Sequence, residues 1–425
     1  MGEMKEIKER KEIKEIKEIK EIKGGVTAAK GFKAACTAAG IKYQGRKDMA
    51  MIFSQAPCHQ AGVFTTNLVK AAPVKWDQAQ VEGDFPAHAV IINAGIANAC
   101  TGEEGMGYCS QTAKAAAGAL QIPEESVLVA STGVIGMQLP MERLEAGIRA
   151  MAPMLGDSLE AGTDASKAIM TTDTKNKEIA VQFQIGGVTV TMGGMCKGSG
   201  MIHPNMCTML GFITTDLSIS KELLQEALRE DVKDTYNMIS VDGDTSTNDT
   251  VLLLANGMAG NRKITEKNED YDTFCKALHM VNEALSKKVA GDGEGCTALF
   301  EAKVVGAKTK EQAKVLAKSV ICSSLTKAAI FGHDANWGRI LCAMGYSGAQ
   351  FDPDKVDLYF ESAAGSMQII KNGVALDYSE EEASRILSQP EVTAVADIKE
   401  GTETACAWGC DLTFDYVKIN ADYRS

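Results

Sequence analysis

Gly193-Gly194-Met195-Cys196-Lys197-Gly198-Ser199-Gly200-Met201-Ile202-His203-Pro204-Asn205-Met206-Cys207-Thr208-Met209-Leu210 carries a glycine-rich, lysine-bearing loop into a threonine near the middle of a 425-residue chain. A threonine hydroxyl is a weak nucleophile unless a base stands beside it. Cutting the bond before Thr208 would supply that base as the residue's own α-amine, whose reference pKa of about 7.7 to 8.0 leaves part of it unprotonated at neutral pH. The same residues also read as a tight glycine turn between two strands, with Thr208 an ordinary β-branched strand residue. Composition alone leaves both readings open.

Outward from this loop, short Val/Ile/Ala-rich runs at 89–94 and 126–130 read as buried strands, because turn residues bound them and β-branched side chains fill them. Residues 111–120, 141–151, 221–231, 271–289 and 310–319 carry alanine, leucine and charges at helical spacing. The mixture predicts an α/β fold with helices covering sheets.

With 45% hydrophobic and 24% charged residues, the chain is long enough for two or three packed units. A net charge of −12 and a pI near 5.1 argue against nucleic-acid or anionic-membrane partners, which would repel it at long range. No apolar run approaches the roughly 18 to 20 residues of a membrane helix, and the first residues are too charged for a secretory signal, so a cytoplasmic location is expected. The twelve cysteines are scattered singly and read as reduced core residues; Cys406 and Cys410, the one close pair, lack CxxC spacing and a histidine cluster, so no metal site is expected. Residues 1–23 form a low-complexity extension in which Glu-Ile-Lys repeats from Glu12. Isoleucine every third residue drifts around a helix and makes no continuous stripe, which predicts a solvated, partly helical segment that Gly24-Gly25 ends.

Several residues carry chemistry beside a plainer reading. Ser131-Thr132-Gly133 follows a predicted strand, where the turn would present a backbone N–H and a hydroxyl to a developing oxyanion or simply end the strand. Lys197 would pair with a substrate carboxylate or be a solvated loop lysine; a P-loop is excluded because the GxxxxGK[ST] spacing is absent. Glu294, between Gly293 and Gly295, suits a cationic amine or is a surface turn. Asp242 to Asp249 has the composition of a calcium loop without its spacing. Asp334, Asn336, Trp337 and Arg339 read as structural support, with Asp334 and Arg339 as a candidate bidentate pair.

The run from Lys197 to Met206, followed by a small residue and Thr208-Met209-Leu210, resembles the self-cleavage site of the ornithine acetyltransferase family, the glutamate N-acetyltransferases of arginine biosynthesis. Ser131-Thr132-Gly133-Val134-Ile135-Gly136, Thr171-Thr172-Asp173-Thr174, Asp242 to Asp249, Asp292-Gly293-Glu294-Gly295, Asp334 to Arg339 and Asn420-Ala421-Asp422-Tyr423 resemble further segments of that family in its order. The resemblance covers essentially everything after residue 24. It implies a layered αββα sandwich whose strands come from both sides of Thr208. Cleavage between Cys207 and Thr208 would divide the protein into an α chain, 24–207, and a β chain, 208–425, assembled as a tetramer of two copies of each.

The resemblance further makes Thr208 the nucleophile and Thr132 and Gly133 the oxyanion hole. Thr171, Lys197, Thr208, Glu294, Asn420 and Ser425 become substrate contacts. The implied reaction moves acetyl from N-acetylornithine to glutamate through acetyl-Thr208 in a ping-pong cycle. It needs no cofactor and no metal, and acetyl-CoA enters as a substrate if the enzyme is bifunctional. Cys207 stands where the family has alanine, His333 where it has arginine, and Ser425 where threonine is common. Cysteine is nearly as small as alanine and contributes only the carbonyl that is attacked, so cleavage is expected to persist. An N-terminal-nucleophile amidase or aminopeptidase of similar fold is the alternative that would deliver the acyl group to water. A non-catalytic binding protein would leave the bond at Thr208 intact.

Overall fold

The computed structural model describes residues 19–203 and 209–422; Cys207, Thr208, Ser425 and the extension up to residue 18 lie outside them. In chain order the strands of the first unit are β1 (Lys20–Ile22), β2 (Phe32–Thr37), β3 (Met49–Phe64), β4 (Ala87–Ile96), β5 (Val127–Val134), β6 (Lys177–Ile185), β7 (Val188–Lys197), β8 (Leu210–Thr215) and β9 (Thr250–Ala255). Between them lie α1 (Ala72–Glu82), α2 (Glu104–Leu120), α3 (Met141–Met151), α4 (Leu159–Ala168), α5 (Lys221–Asp231) and α6 (Glu269–Ala290). The remainder adds β10 (Leu299–Ala307), α7 (Lys310–Cys322), α8 (Ser324–Phe331), α9 (Trp337–Gly345), β11 (Asp357–Ser362), β12 (Gly365–Lys371), β13 (Val374–Ala375), α10 (Glu380–Leu387), β14 (Glu391–Asp397), β15 (Glu403–Cys410) and α11 (Phe414–Asp422).

The strands of the first unit form one hydrogen-bonded path, β1-β6-β7-β8-β9-β3-β4-β5, with β2 also on β3. The path folds back on itself through β3. Its first part pairs with β4, Met49 opposite Asn93, and its last part pairs with β9, His59 opposite Ala255, with a register shift between Phe53 and Cys58. Pro57 lies in that shift, where its missing N–H interrupts no regular ladder.

Alternation along the strands assigns the layers. In β9, Leu252 and Leu254 join Phe212 and Met195 in a core that also holds Ile52, Val90, Ile92 and Leu128 from β3, β4 and β5. The two halves of the folded-over sheet therefore pack face to face. The opposite faces point outward: Val251, Leu253 and Ile213 pack under Leu224 of α5 and Phe274, Leu278 and Val281 of α6, while Ile91, Val127 and Val129 pack under Ala113 and Ala116 of α2 and Leu144 and Ile148 of α3. Strands covered on both faces read as continuous apolar runs, and each large side chain buried there contributes roughly 1.5 to 3 kcal/mol. The result is the αββα sandwich. Strands β1–β7 precede residue 208 and β8 and β9 follow it within the same sheet.

The α/β expectation therefore holds, and helices 141–151 and 221–231 have the predicted bounds. One expectation fails. Lys20–Ile22, read as part of a solvated, partly helical extension, is a strand paired antiparallel with Ala180 to Gln182 of β6. An exposed sheet edge offers unpaired N–H and C=O groups, and satisfying them outweighs the weak helical preference of a three-residue repeat.

A second sheet, β13-β12-β11-β14-β10-β15, is built wholly from residues after 208, with α7 and α10 packed on it. Its core, with Phe300, Phe360 and Trp408, is continuous with that beneath α6. Among the described residues no helix is long and apolar enough to cross a membrane.

Candidate active site

The ends of β5 and β7, the starts of β8 and β9, the loop before β6, the loop after α6 and the C-terminal α11 meet around one cavity of about 140 Å³. Its lining includes Thr132, Gly133, Thr171, Lys197, Glu294 and Asn420, six residues scattered over nearly 290 positions of sequence. Met209, which is covalently bonded to Thr208, also lines it. The glycine loop bears out its reading as a link between strands, while Thr208 itself lies outside the described residues. It connects two antiparallel strands, with Lys197 opposite Leu210, and it borders the cavity.

Gly133 has no alternative at its position. Its φ is +133°, and an added Cβ would stand 2.2 Å from the carbonyl carbon of Gly95, where the parallel β4–β5 pairing slips out of register. Without a side chain the backbone turns, and Thr132 and Gly133 face the cavity. Asn248 fixes this corner by donating from Nδ2 to the carbonyls of Ala97 (2.6 Å) and Ser131 (2.8 Å), while Thr247 Oγ1 donates to its Oδ1.

Lys197 belongs to a buried chain of charges. The Asp173 carboxylate accepts from the Thr171 N–H at 3.0 Å, the Gly198 N–H at 2.7 Å and the Lys177 ammonium at 2.7 Å, with Lys197 Nζ at 3.8 Å. Lys177 also reaches Asp292 at 2.6 Å, and Asp292 accepts from Thr174 Oγ1 and from the Thr174 N–H at 3.1 Å. Burial opposes the charge on Asp173, but Lys197 and Lys177 override it and hold the carboxyl well below its usual range. One buried carboxylate therefore orients Thr171, Gly198 and Lys197 together.

Glu294 reaches the cavity from the loop after α6, where its N–H donates to the Ser199 carbonyl at 3.1 Å. Its carboxylate lies against Gly200, close enough that a Cβ there would meet it at 2.4–2.6 Å. Asn420 Nδ2 donates to Glu294 Oε2 at 2.8 Å and to the Tyr416 carbonyl at 3.0 Å. The helix bearing Asn420 is anchored by Thr413 Oγ1 on the Gly295 carbonyl and by the Tyr416 hydroxyl on Asp242, whose carboxylate also accepts from the Met201 and Ile202 N–H groups. That carboxylate does structural work at the foot of the glycine loop. His203, at the end of the described loop, stays neutral; burial and then Lys318 push it down to about 4.

Thr208, Cys207 and Ser425 fall outside the described residues. The proposed pairing of Asp334 with Arg339 does not form. Asn336 caps α9 and donates to Asp334 at 3.0 Å, and Arg339 instead donates to the Leu325 carbonyl at 2.8 Å, because the helix turn carries the guanidinium away from the carboxylate. His333 likewise does not line the cavity. Among the described residues the cysteines are free thiols. Sequence reasoning gave no role to Asn248, Asp249, Thr172, Ser246 or Gly200, which also line the cavity. Asn248 and Asp249 stand just before the apolar run of β9, and only the parallel β8–β9 register places them at the site.

Residues 33–425 match the ArgJ family. The arginine biosynthesis bifunctional protein ArgJ of Symbiobacterium thermophilum is 54% identical over 405 residues, covering 95% of this chain and 99% of that one. Its namesake from Bacillus subtilis is 46% identical over 402 residues, covering 95% and 97%. A crystal structure of the Bacillus halodurans ArgJ protein is 44% identical, covering 51% of this chain and all of that one with a TM-score of 0.49. An ornithine acetyltransferase from Mycobacterium tuberculosis, solved with ornithine, is 41% identical, covering 44% and 98% with a TM-score of 0.41. With a family match and close relatives that both span nearly its whole length, the chain belongs to the ArgJ family.

Proposed function

We propose that this protein is an autoprocessed acetyltransferase of arginine biosynthesis that moves acetyl from N-acetylornithine to glutamate through Thr208. The supporting observation is the single cavity in which Thr132, Gly133, Thr171, Lys197, Glu294 and Asn420 meet beside Met209. Thr208 attacks the Cys207 carbonyl, the acyl group shifts from nitrogen to oxygen and frees the α-amine, and water hydrolyses the resulting ester to release the Thr208 hydroxyl and a chain ending in the Cys207 carboxylate. The antiparallel β7–β8 pairing, whose strands lie on either side of the cut, would keep the chains 24–207 and 208–425 together.

In the mature enzyme the α-amine takes the Thr208 hydroxyl proton as Oγ attacks the acetyl carbonyl of N-acetylornithine. Thr132 Oγ1 and the Gly133 N–H receive the oxyanion, a contribution that costs about 10²- to 10³-fold in rate when one donor is lost. The carbon–nitrogen bond breaks, ornithine leaves, and the glutamate amine attacks acetyl-Thr208 to give N-acetylglutamate. Lys197 takes the substrate α-carboxylate beside Thr171, and Glu294, Asn420 and Ser425 take the far end, where the ornithine ammonium meets the Glu294 charge. No cofactor enters these steps. The relatives are named bifunctional, which supports acetyl-CoA as a second donor to the same threonine. The reading includes a cytoplasmic tetramer of two copies of each chain.

The test is to supply N-acetylornithine with and without glutamate and follow both products. N-acetylglutamate forming only when glutamate is present, with little acetate in its absence, is expected. Acetate accumulating equally in both mixtures would make the protein an amidase.

A further inference from the structure

The loop 292–296, between α6 and β10, divides two cavities. Glu294 faces the substrate cavity, while Asp292, Gly293, Gly295 and Cys296 line a second cavity of about 660 Å³. Behind the loop stands the buried Cys410, the last residue of β15, whose strand partner is Leu299. Three hydrogen bonds hold the two segments against each other. Asp411 accepts from the Thr297 N–H at 2.8 Å and the Ala298 N–H at 3.1 Å, and Thr413 Oγ1 donates to the Gly295 carbonyl at 2.7 Å. Gly293 lies so close to Cys410 that a Cβ there would stand 2.6 Å from its sulfur.

Two cysteines meet inside this junction. The Cys296 thiol has two acceptors in reach, the Gly291 carbonyl at 3.5 Å and the Cys410 sulfur. Lys327, itself buried, donates to that sulfur at 3.6 Å and to the Cys410 carbonyl at 2.5 Å. The hydrogen bond from Cys296 and the Lys327 charge hold the Cys410 thiol below its ordinary value against burial. Thiolate character decides cysteine reactivity, and access decides which sulfur meets an oxidant. Here the two are split between adjoining sulfurs, with Cys296 open to the second cavity and Cys410 beside a buried cation. Where thiols are otherwise kept reduced, the disulfides that do form are usually transient and redox-sensing.

We propose that Cys296 and Cys410 are an oxidation site for hydrogen peroxide, and that their disulfide draws Glu294 out of the substrate cavity. The Cys296 sulfur attacks one peroxide oxygen while its proton passes to the Cys410 thiolate; the O–O bond breaks and hydroxide leaves. The Cys410 sulfur then displaces the hydroxyl of the Cys296 sulfenic acid, and its proton departs with that hydroxyl as water. Each sulfur gives up one electron to the disulfide, and peroxide is reduced to hydroxide and water. Turning a hydrogen-bond contact into a covalent bond moves the Cys410 sulfur against Gly293 and pulls the loop towards β15. The contact from Asn420 Nδ2 to Glu294 Oε2, at 2.8 Å, is then lost. The effect on the substrate cavity rests on the proposed role of Glu294.

The test exposes purified full-length protein to hydrogen peroxide, blocks the remaining thiols with iodoacetamide and maps disulfides by peptide mass spectrometry. A Cys296–Cys410 cross-link is expected. KM for N-acetylornithine should rise about 10- to 100-fold with it, the scale of one charged hydrogen bond, and dithiothreitol should reverse both. Cys296→Ser should keep the starting KM and lose the response to peroxide. Three results overturn the proposal: no cross-link while the exposed Cys100 and Cys342 oxidise, a cross-link that leaves KM unchanged, or equal peroxide sensitivity in Cys296→Ser. Reduced protein without acetyl transfer would remove the reading of Glu294 instead, while the disulfide map would still decide the oxidation site.

Discussion

Replacing Lys177 by methionine removes a cation that is 1% exposed and contacts two carboxylates, Asp173 at 2.7 Å and Asp292 at 2.6 Å. At an effective dielectric of about 20, each contact is worth about 6 kcal/mol of attraction, offset by several kcal/mol for taking the ammonium out of water. The net cost of stranding buried partners is about 3–5 kcal/mol. The lower end is expected, because Asp173 keeps Lys197 and two backbone N–H donors, while Asp292 keeps Thr174. The loss also has a pH signature. Asp173 is depressed in the fold, so its stabilisation is full above the unfolded value of about 3.8 and is lost as pH falls through the lower folded value. With Lys177 gone, Asp173 titrates higher and acid unfolding begins at higher pH. Urea unfolding at pH 7 and pH 4.5 measures both effects, and Lys177→Met with Asp292→Asn should cost less than the sum of the single changes. A Lys177→Met protein within about 0.5 kcal/mol of wild type, or strict additivity in the pair, would refute this account of the charge chain.

Gly200→Ala places a Cβ against the Glu294 carboxylate, whose flexible end moves aside; stability should change by less than about 1 kcal/mol while KM for N-acetylornithine rises about 10- to 100-fold, and an unchanged KM in steady-state assays contradicts the assignment of Glu294. Gly133→Ala meets the Gly95 backbone, which cannot yield, so chemical denaturation should register a loss of more than about 3 kcal/mol, and wild-type stability would show that the β4–β5 corner is looser than described. Asp77, buried in α1 with only Oδ1 bonded, by the Val129 N–H at 2.8 Å, has its carboxyl raised well above the usual range by burial. Its carboxyl therefore favours the fold most below the unfolded pKa, and that contribution falls as pH rises. Asp77→Asn, which has no proton to lose, should gain stability relative to wild type from pH 5 to pH 8, whereas a difference constant with pH would refute the buried-acid reading.

What the sequence made legible follows from where the forces are local. Residues 89–94 fall in β4 and 127–130 in β5, with Ser126 in the turn before it; both runs are largely apolar on both faces because strands inside a sandwich need no alternation. Helices α3 and α5 carry their own periodicity and end where it ends. The strand at Lys20–Ile22 was not legible, since it depends on the free edge of β6 and on nothing in the repeat itself. The Asp173–Lys177–Asp292 chain was equally hidden, because Asp292 lies more than a hundred residues from the other two and all three look like ordinary surface charges. Thr132-Gly133 and Glu294 read as turns by their own chemistry, and the family resemblance singled them out. Asp249, within a quoted motif, reaches the cavity only because the β8–β9 register, with Leu210 opposite Thr250, carries it there.

The central claim is that Thr208 becomes an N-terminal nucleophile, and intact-mass spectrometry of the purified protein beside a Thr208→Ala control tests it most directly. The account predicts two fragments in the wild type, one ending at Cys207 and one beginning at Thr208, and an uncut control. A single wild-type chain of 45.3 kDa, or cleavage that persists in the control, would contradict it.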